Sequence, residues 1–362
     1  MKKLMLFIQV LIISSVISCP VVQACTTFVL QKGERIVYGR NFDWFLSDGM
    51  VVINKKNVSK KGLLSSSQGA LTWVSKYGSI SFNQYGKDLP MDGMNEKGLV
   101  VAQMWLETTE WEPPDSRLSI TPLEWIQYQL DNSASVKEVI KSHAKIRIDG
   151  TNSAPLHFLV CDKYGGAVVI EFLEGKAVYH KKKKLPFVTL TNSTYSTSLK
   201  FYAANETEKA NMTQRVSGNS LERFDIAAHM LNDYKQQSAV PIEKYAFAIL
   251  SAVAQGHTQW SIVYDINNLQ VYFKTQKKPA IKTVILKDFN LNCDTPSRTI
   301  DIDAQEVGDV SKCFIDYSTE NNKKLIFSVY KKTPFLSQMP DTILEALSKW
   351  PESHHCTTGS MH

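Results

Sequence analysis

The chain has 362 residues, of which 43% are hydrophobic and 21% are charged. This ordinary globular usage excludes a small disulfide scaffold, a collagen, a coiled coil and an extensively disordered protein. The 41 lysines and arginines exceed the 35 acidic residues only slightly, and the resulting charge of +6 is scattered along the chain. We therefore expect no nucleic-acid partner, since such proteins concentrate positive charge on one face.

Residues 1–24 have the pattern of a secretory signal peptide. Lys2 and Lys3 precede a mainly apolar run over residues 4–16, and small or modest residues lead up to Ala24. The run is too short and wrongly flanked for a spanning helix, and no later segment has eighteen consecutive apolar residues. We expect a protein without a spanning membrane segment, exported to the periplasm or secreted.

Cleavage after Ala24 would make Cys25 the first residue of a single domain over residues 25–362. A thiol and a free α-amine would then share one residue, with ordinary pKa values of about 8.5 and about 8, so that the amine could accept the thiol proton. Two alternatives remain at this point. Cys25 could simply follow the cut, or the loose lipobox ending at Cys19 could carry a lipid anchor for a binding protein.

The first predicted elements form a β-hairpin. A β-type run at Thr26–Leu30 is followed by a turn signal at Lys32–Glu34 and by a second run at Arg35–Tyr38, which continues into Gly39–Trp44. An antiparallel return of this length would bring the segment from Arg40 to Trp44 beside Cys25.

Helix signals are fewer but well marked. Thr121–Glu124 and Ser135–Glu138 have the pattern of capping boxes, Ser220 is a candidate cap, and residues 242–253 carry an apolar stripe. Together with β-type runs before, between and after the helices, this order predicts an α+β architecture with helices packed on antiparallel sheets.

A set of motifs in a fixed order resembles the choloylglycine hydrolase family, which holds bile-salt hydrolases and penicillin V acylases. The motifs run from Cys25 to about Thr275, and they are Cys25–Phe28, Gly39–Trp44, Asp92–Leu99, His157–Val160, Leu190–Asn192, Glu222–Phe224, Thr258–Trp260 and Tyr272–Phe273. The resemblance implies an N-terminal nucleophile hydrolase with a four-layer αββα sandwich. It also implies hydrolysis of linear amides without a cofactor, and a homo-oligomer, often a tetramer.

Each polar member of the motifs has a chemical reason. Cys25 would attack an amide carbonyl, the positive charge of Arg40 would favour its thiolate, and Asp43 would hold the α-ammonium by a charge-assisted hydrogen bond. The resemblance assigns the oxyanion donors to the side-chain amide of Asn192 and to the backbone N–H of Trp105.

Arg223 resembles a second arginine that the family has near the nucleophile, with a role in charge and network support. Without the family resemblance, Arg40 and Asp43 could equally form an ordinary surface ion pair, and Arg223 could be a cation on a helix surface.

Trp44 and Trp105 bear on the substrate. This pair resembles the Gram-negative penicillin V acylase branch, whose members also resemble acyl-homoserine-lactone acylases. Two indoles can form the walls of an apolar acyl pocket. We therefore expect a small-molecule N-acyl amide with a phenoxyacetyl or fatty-acyl group, and a conjugated bile salt second. The alternative is that both tryptophans are core residues.

The remaining cysteines carry a structural expectation. Cys293 and Cys313 lie in an irregular C-terminal region of a chain that we expect to be exported, and they could form a disulfide that closes a loop of about 20 residues. Cys161 lies in an apolar strand and is expected to be buried and inert. No Cys/His spacing typical of zinc and no glycine-rich phosphate loop occurs, so we expect no metal and no cofactor.

Overall fold

The computed structural model describes residues 25–66, 69–205, 218–234 and 239–357. The predicted signal segment 1–24, with Cys19, lies outside the described residues.

The strands in chain order are β1 Thr26–Lys32, β2 Arg35–Asp43, β3 Met50–Asn54, β4 Val58–Ser66, β5 Gly69–Val74, β6 Ser79–Asn83, β7 Pro90–Asn95, β8 Val100–Trp105, β9 Leu118–Ile120, β10 Ile146–Ile148, β11 Leu156–Cys161, β12 Ala167–Leu173, β13 Lys176–Lys181, β14 Thr189–Leu190, β15 Thr258–Asp265, β16 Gln270–Thr275, β17 Lys282–Ile285, β18 Arg298–Asp301, β19 Gly308–Asp309, β20 Ile315–Asp316 and β21 His355–Cys356. The α-helices are α1 Pro122–Asn132, α2 Val136–Ser142, α3 Tyr195–Asn205, α4 Ser220–Tyr234, α5 Ile242–Ala252, α6 Thr319–Lys332 and α7 Asp341–Lys349.

Two large sheets form the centre of the fold. The first has the strand order β14-β1-β2-β15-β16-β17-β19, and the second has the order β13-β12-β11-β8-β7-β6-β3-β18-β20. All of their pairings are antiparallel except the short parallel contact of β17 with β19. Two smaller sheets pair β9 with β10, and β4 with β5 and β21.

The buried apolar side chains form three clusters, because successive residues of a strand point to opposite faces of its sheet. One cluster lies between the two large sheets, a second packs α1 and α2 on the outer face of the second sheet, and a third packs α4 and α5 on the outer face of the first sheet. The resulting order of layers is helix, sheet, sheet, helix. The predicted αββα sandwich with antiparallel sheets is confirmed.

The predicted N-terminal hairpin is also confirmed, with strands longer than expected. Thr27 of β1 lies opposite Arg40 of β2, and β15 flanks β2 on its other side. Gly39 allows this close packing, because a Cβ at that position would lie only 2.2 Å from the ring of Phe28. The hairpin therefore brings the end of β2 back to the start of β1, next to Cys25.

The helix caps agree with prediction at α1 and differ at α4. Thr121 and Glu124 form the predicted capping box of α1. At α4 the cap is Asn219, whose Oδ1 accepts from the amides of Leu221 and Glu222 at 2.9 and 3.0 Å. The prediction of Ser220 as the cap is wrong. Ser220 is the first helical residue, and its hydroxyl accepts a hydrogen bond from the backbone N–H of Asn192.

The C-terminal part of the chain departs most from expectation. Helices α3, α6 and α7 had no predicted counterpart, and the expected pairing of Cys293 with Cys313 is wrong. Cys293 forms a disulfide with Cys356, and Cys313 is free and exposed. The physical reason is that Asn292 bridges to Lys56, while β21 pairs with β4 two residues further on, so the two half-cystines meet there.

Among the helices of the described ranges, none combines the length and the apolar character needed to cross a bilayer.

Candidate active site

Cys25 lies immediately before β1, between the sheets, and is only 4% exposed. Its Sγ is 3.8 Å from the backbone oxygen of Asp43, as the return of the hairpin requires. Burial raises the pKa of the Cys25 thiol, and the positive charge of Arg40 opposes that rise. A thiol in this position needs a proton acceptor before it can act as a nucleophile.

Arg40 crosses the space between the two sheets. Its Nε lies 2.6 Å from Oδ2 of Asp92 on β7, and both side chains are fully buried. Its Nη1 donates to the backbone oxygen of Gln103, and Tyr264 donates its hydroxyl proton to Asp92. The Arg40 charge is therefore fixed in place between the sheets and close enough to Cys25 to act on the thiol.

Asp92 and Tyr264 had no role in the sequence analysis. Asp92 stands at the head of the Asp92–Leu99 motif, and that position was the signal that could have drawn attention to it. Its partner could not be found from the sequence, because Arg40 and Asp92 lie on different sheets.

Asp43 is buried at the end of β2 and accepts a hydrogen bond from the hydroxyl of Thr258 on β15. Burial raises the pKa of Asp43 to about 7, while Thr258, Arg223 and Arg40 hold it down. Its second oxygen, Oδ2, is buried and has no hydrogen-bond partner in the described part of the chain. The carboxyl group can therefore accept one more donor beside Cys25.

Arg223 of α4 joins the hairpin to the segment that follows β14. Its Nη1 donates to the backbone oxygen of Cys25 at 2.8 Å and to the hydroxyl of Thr26 at 2.9 Å. Its Nη2 donates to Oδ1 of Asn192 at 3.1 Å. Because Oδ1 faces Arg223, the amide nitrogen of Asn192 must point the other way, and it donates to the backbone oxygen of Trp105 at 2.8 Å.

The orientation of Asn192 is also fixed from its backbone. The amide of Asn192 donates to the hydroxyl of Ser220 at 2.9 Å, and the preceding carbonyl, that of Thr191, lies 2.7 Å from Nε2 of the buried His157. His157 thus supports the Asn192 segment from the opposite sheet. The first turn of α4 does the same from the helix layer.

The backbone of Trp105 lies at the end of β8. Leu106 donates its N–H to the oxygen of Pro155, so in the alternating pattern of an antiparallel pair the N–H of Trp105 points away from β11. The pairing of β7 with β8 extends only to the Asp92–Ala102 pair. The N–H of Trp105 therefore points to the same side of β8 as its carbonyl, which Asn192 contacts.

Cys25 lines an apolar cavity of about 640 Å³. Trp44 and Trp105 both line it, with their ring centroids 6.3 Å apart. Trp44 is nearly buried and Trp105 half-buried, so both rings pack on the core and also form the cavity wall. Asp43 is the charged residue of the lining, and the other walls are mainly aliphatic and aromatic.

The hairpin, the end of β8, α4 and the segment after β14 thus bring the candidate residues of the sequence analysis to one region. The alternatives of a surface ion pair and of a helix-surface cation are wrong. Arg40 pairs with Asp92 rather than with Asp43, and Arg40, Asp43 and Arg223 are all buried.

Two antiparallel sheets between helix layers, with a buried cysteine before the first strand and Arg223 joining it to Asn192, place the chain in the class of αββα sandwich proteins with a buried thiol at the first strand. A sequence model of the linear amide C–N hydrolases, choloylglycine hydrolase family, matches residues 25–232. The chain belongs to this family, and it is a hydrolase of carbon–nitrogen bonds in linear amides.

Relatives with curated names support the same assignment. The chain is 28% identical to a penicillin V acylase from Pectobacterium atrosepticum, over 74% of this chain and 82% of that protein. It is 27% identical to a bile salt hydrolase/transferase from Lactiplantibacillus plantarum, over 74% of this chain and 94% of that protein.

Solved structures share the fold. The penicillin V acylase from Agrobacterium tumefaciens superimposes with a TM-score of 0.70 at 23% identity, covering 81% of this chain and 98% of that one. A conjugated bile acid hydrolase from Clostridium perfringens superimposes with a TM-score of 0.63 at 18% identity, covering 78% and 98%.

Proposed function

We propose that the chain is an exported precursor that is cut after Ala24, and that the mature enzyme uses Cys25 as an N-terminal nucleophile. Its substrate is an N-acyl amide with an apolar acyl group, of the penicillin V or N-acyl-homoserine lactone type. The observation that carries the proposal is the position of Cys25 in the lining of an apolar cavity, beside an Asp43 oxygen that has no hydrogen-bond partner among the described residues.

The proton acceptor is the α-amine that cleavage creates. Burial raises the pKa of the Cys25 thiol, so the thiolate does not form without a base. The amine takes the thiol proton as the sulfur attacks the carbonyl carbon, and it returns that proton to the leaving nitrogen. Water then hydrolyses the thioester, and the acid departs with the thiol restored.

Asp43 keeps the amine in place. A buried carboxylate oxygen without a partner is costly, and an ammonium group at the start of β1 satisfies it. Since the same ammonium favours the ionised form of Asp43, cleavage lowers the raised pKa of this carboxyl group.

The oxyanion forms beside Asn192 and Trp105. The amide nitrogen of Asn192 carries a second hydrogen besides the one donated to Trp105, and the backbone N–H of Trp105 points to the same side of β8. Donors held in advance by Arg223 and Ser220 need no reorganisation when negative charge develops on the carbonyl oxygen.

The first experiment tests maturation. Intact mass and N-terminal sequencing of the protein recovered from the periplasm or the medium should give a chain that begins at Cys25. A diacylglyceryl group on Cys19 would instead show lipoprotein processing, would leave Cys25 without a free α-amine and would contradict the proposal.

The second experiment tests the chemistry. The mature protein should release amine from penicillin V and from acyl-homoserine lactones faster than from taurocholate or glycocholate. The Cys25→Ser variant should lose nearly all of this activity while it keeps the wild-type circular dichroism spectrum. Turnover retained by the variant would exclude the thiol as nucleophile, and a preference for the conjugated bile salts would reverse the assigned substrate class.

A further inference from the structure

One wall of the cavity is built by a part of the chain that follows the family match. That match ends at residue 232, whereas α6 and α7 begin at Thr319 and Asp341. These two helices and their connection nevertheless contribute apolar side chains to the same cavity that Cys25 lines. The contributing side chains are Tyr330, Phe335, Leu336, Met339, Ile343 and Leu347.

This wall is attached to the candidate site at one end. Phe335 lies 6.4 Å from Trp105 between ring centroids, and Tyr330 lies 5.6 Å from Tyr85. Leu347 and Ile343 lie further along α7 and line the same cavity together with Leu63 of β4. The helices therefore extend the apolar surface from the indoles near the thiol to the side of the cavity formed by β4.

The wall is also fixed to the body of the protein. Asn322 of α6 donates to the backbone oxygen of Ser348 at 3.0 Å, and Trp350 donates its indole N–H to the backbone oxygen of Lys61 at 3.0 Å. The disulfide of Cys293 with Cys356 holds the following strand. A surface held by so many anchors can discriminate between ligands by shape, because it does not move aside at little cost.

The side chains of this wall favour a hydrocarbon ligand. It presents aliphatic and aromatic carbon to the cavity, and Leu347 is half-buried while Ile343 is 51% exposed, so an entering chain would cover them. A cavity of about 640 Å³ is also larger than a phenoxyacetyl group needs. Each buried methylene group is expected to improve binding about fourfold.

We propose that α6 and α7 are the element that sets acyl-chain length, and that Leu347 and Ile343 contact the distal methylene groups of an unbranched fatty-acyl chain. This inference rests on the proposed function, because it places the acyl group of the substrate in the cavity that Cys25 lines.

The test compares hexanoyl- and dodecanoyl-homoserine lactone by kcat/KM. The wild type should prefer the dodecanoyl substrate. Leu347→Trp should reduce kcat/KM for the longer substrate at least tenfold and change that for the shorter one less than about twofold, because a long chain meets the added ring. Ile343→Trp, at a more exposed position, should act in the same direction and serves if Leu347→Trp does not fold.

The matched control is Thr342→Trp, which places the same ring on an exposed position of the same helix outside the cavity lining. It should leave the ratio of the two kcat/KM values unchanged. An unchanged ratio in folded Leu347→Trp and Ile343→Trp would overturn the inference, and so would an equal change in the control.

A second measurement separates this inference from the proposed function. Calorimetric titration with hexanoate and dodecanoate needs no hydrolysis, and the preference for dodecanoate should fall in Leu347→Trp. If the protein hydrolyses no acyl amide but Leu347→Trp reduces the preference for dodecanoate, the proposed function fails and the role of α6 and α7 in chain-length selection stands. If hydrolysis depends on Cys25 but the variants change neither the ratio of kcat/KM values nor the preference for dodecanoate, only the role of α6 and α7 in chain-length selection is refuted.

Discussion

Nε of Arg40 lies 2.6 Å from Oδ2 of Asp92, and neither side chain is exposed to solvent. The two residues belong to opposite sheets of the sandwich, so this ion pair links the strand that returns to Cys25 with the strand beside β8. It fixes a positive charge near the thiol, and at the same time it neutralises two groups that would be costly to bury alone.

Removal of one partner should therefore be expensive. Asp92→Ala leaves the Arg40 guanidinium buried without its anion, and we expect the free energy of unfolding to fall by about 3–5 kcal/mol. Urea unfolding followed by circular dichroism measures the change. Glu320→Ala is the control, because its pair with Lys324 is exposed and its loss should cost less than about 1 kcal/mol. Equal small effects of both substitutions would contradict the structural role of the buried pair.

The carboxyl group of Asp43 should make the uncut chain less stable as the pH rises. Burial raises its pKa from 3.8 to about 7, so between these values the folded chain holds a proton that the unfolded chain has lost. Stability should therefore fall with rising pH across this window, by roughly 4 kcal/mol at most. Urea unfolding at about pH 4.5 and about pH 7.5 measures the decline, and Asp43→Asn should remove most of it.

Cleavage should also reduce that decline. A chain that begins at Cys25 places an ammonium group beside Asp43, which favours the carboxylate and lowers its pKa. The free energy of unfolding should change less between the two pH values in this chain than in a chain that retains residue 24. An identical decline in both chains would show that the amine does not contact Asp43.

Asn192 should affect turnover more than binding or stability. Loss of one oxyanion donor typically costs about 10²–10³ in rate, so Asn192→Ala should lower kcat by that factor with a small change in KM. Asn192→Asp should be impaired as well, since its carboxylate cannot donate and would face the oxygen of Trp105. Steady-state kinetics test this, with Asn132→Ala at the end of α1 as a control. Wild-type kcat in both Asn192 variants would exclude the amide as a donor.

The disulfide should stabilise the C-terminal region. Cys356→Ser opens a covalent link between residues 63 positions apart, and we expect a loss of roughly 2–4 kcal/mol. Thermal unfolding without reductant should show a lower midpoint, and reductant should bring the wild type close to the variant. Cys313→Ser should have no effect, because Cys313 is a free and exposed thiol. A loss of stability in the Cys313 variant would instead indicate that the pairing is different.

Sequence patterns within a short segment predicted the N-terminal hairpin and the cap of α1, because contacts between neighbouring residues determine both. The hairpin that carries Arg40 back to Cys25 depends on two adjacent β-type runs and a turn, and the cap at Thr121 depends on four consecutive residues. Asn219 and Ser220 are both good cap formers, and a single position separates them. Tertiary contact decides between them, because the Ser220 hydroxyl binds the backbone of Asn192.

Contacts between distant segments could not be predicted in this way. Arg40 meets Asp92 only because two sheets face each other, and Cys293 meets Cys356 only because both segments pack on residues 56–58. Helix α6 is a different case. Ser318 caps it and Ile326, Val329 and Tyr330 form its buried side, so a cap and an apolar stripe in the sequence do indicate this helix.

The distribution of the cavity walls along the chain has a consequence for biosynthesis. Cys25 lies more than 300 positions before Leu347 and Trp350, so it leaves the ribosome long before these two lining residues do. The apolar lining contributed by earlier segments therefore stays uncovered until α7 has been translated. A product that ends before Thr319 could assemble the thiol and its buried arginines. Its apolar cavity lining would nevertheless stay exposed to solvent, because the wall formed by α6 and α7 would be missing.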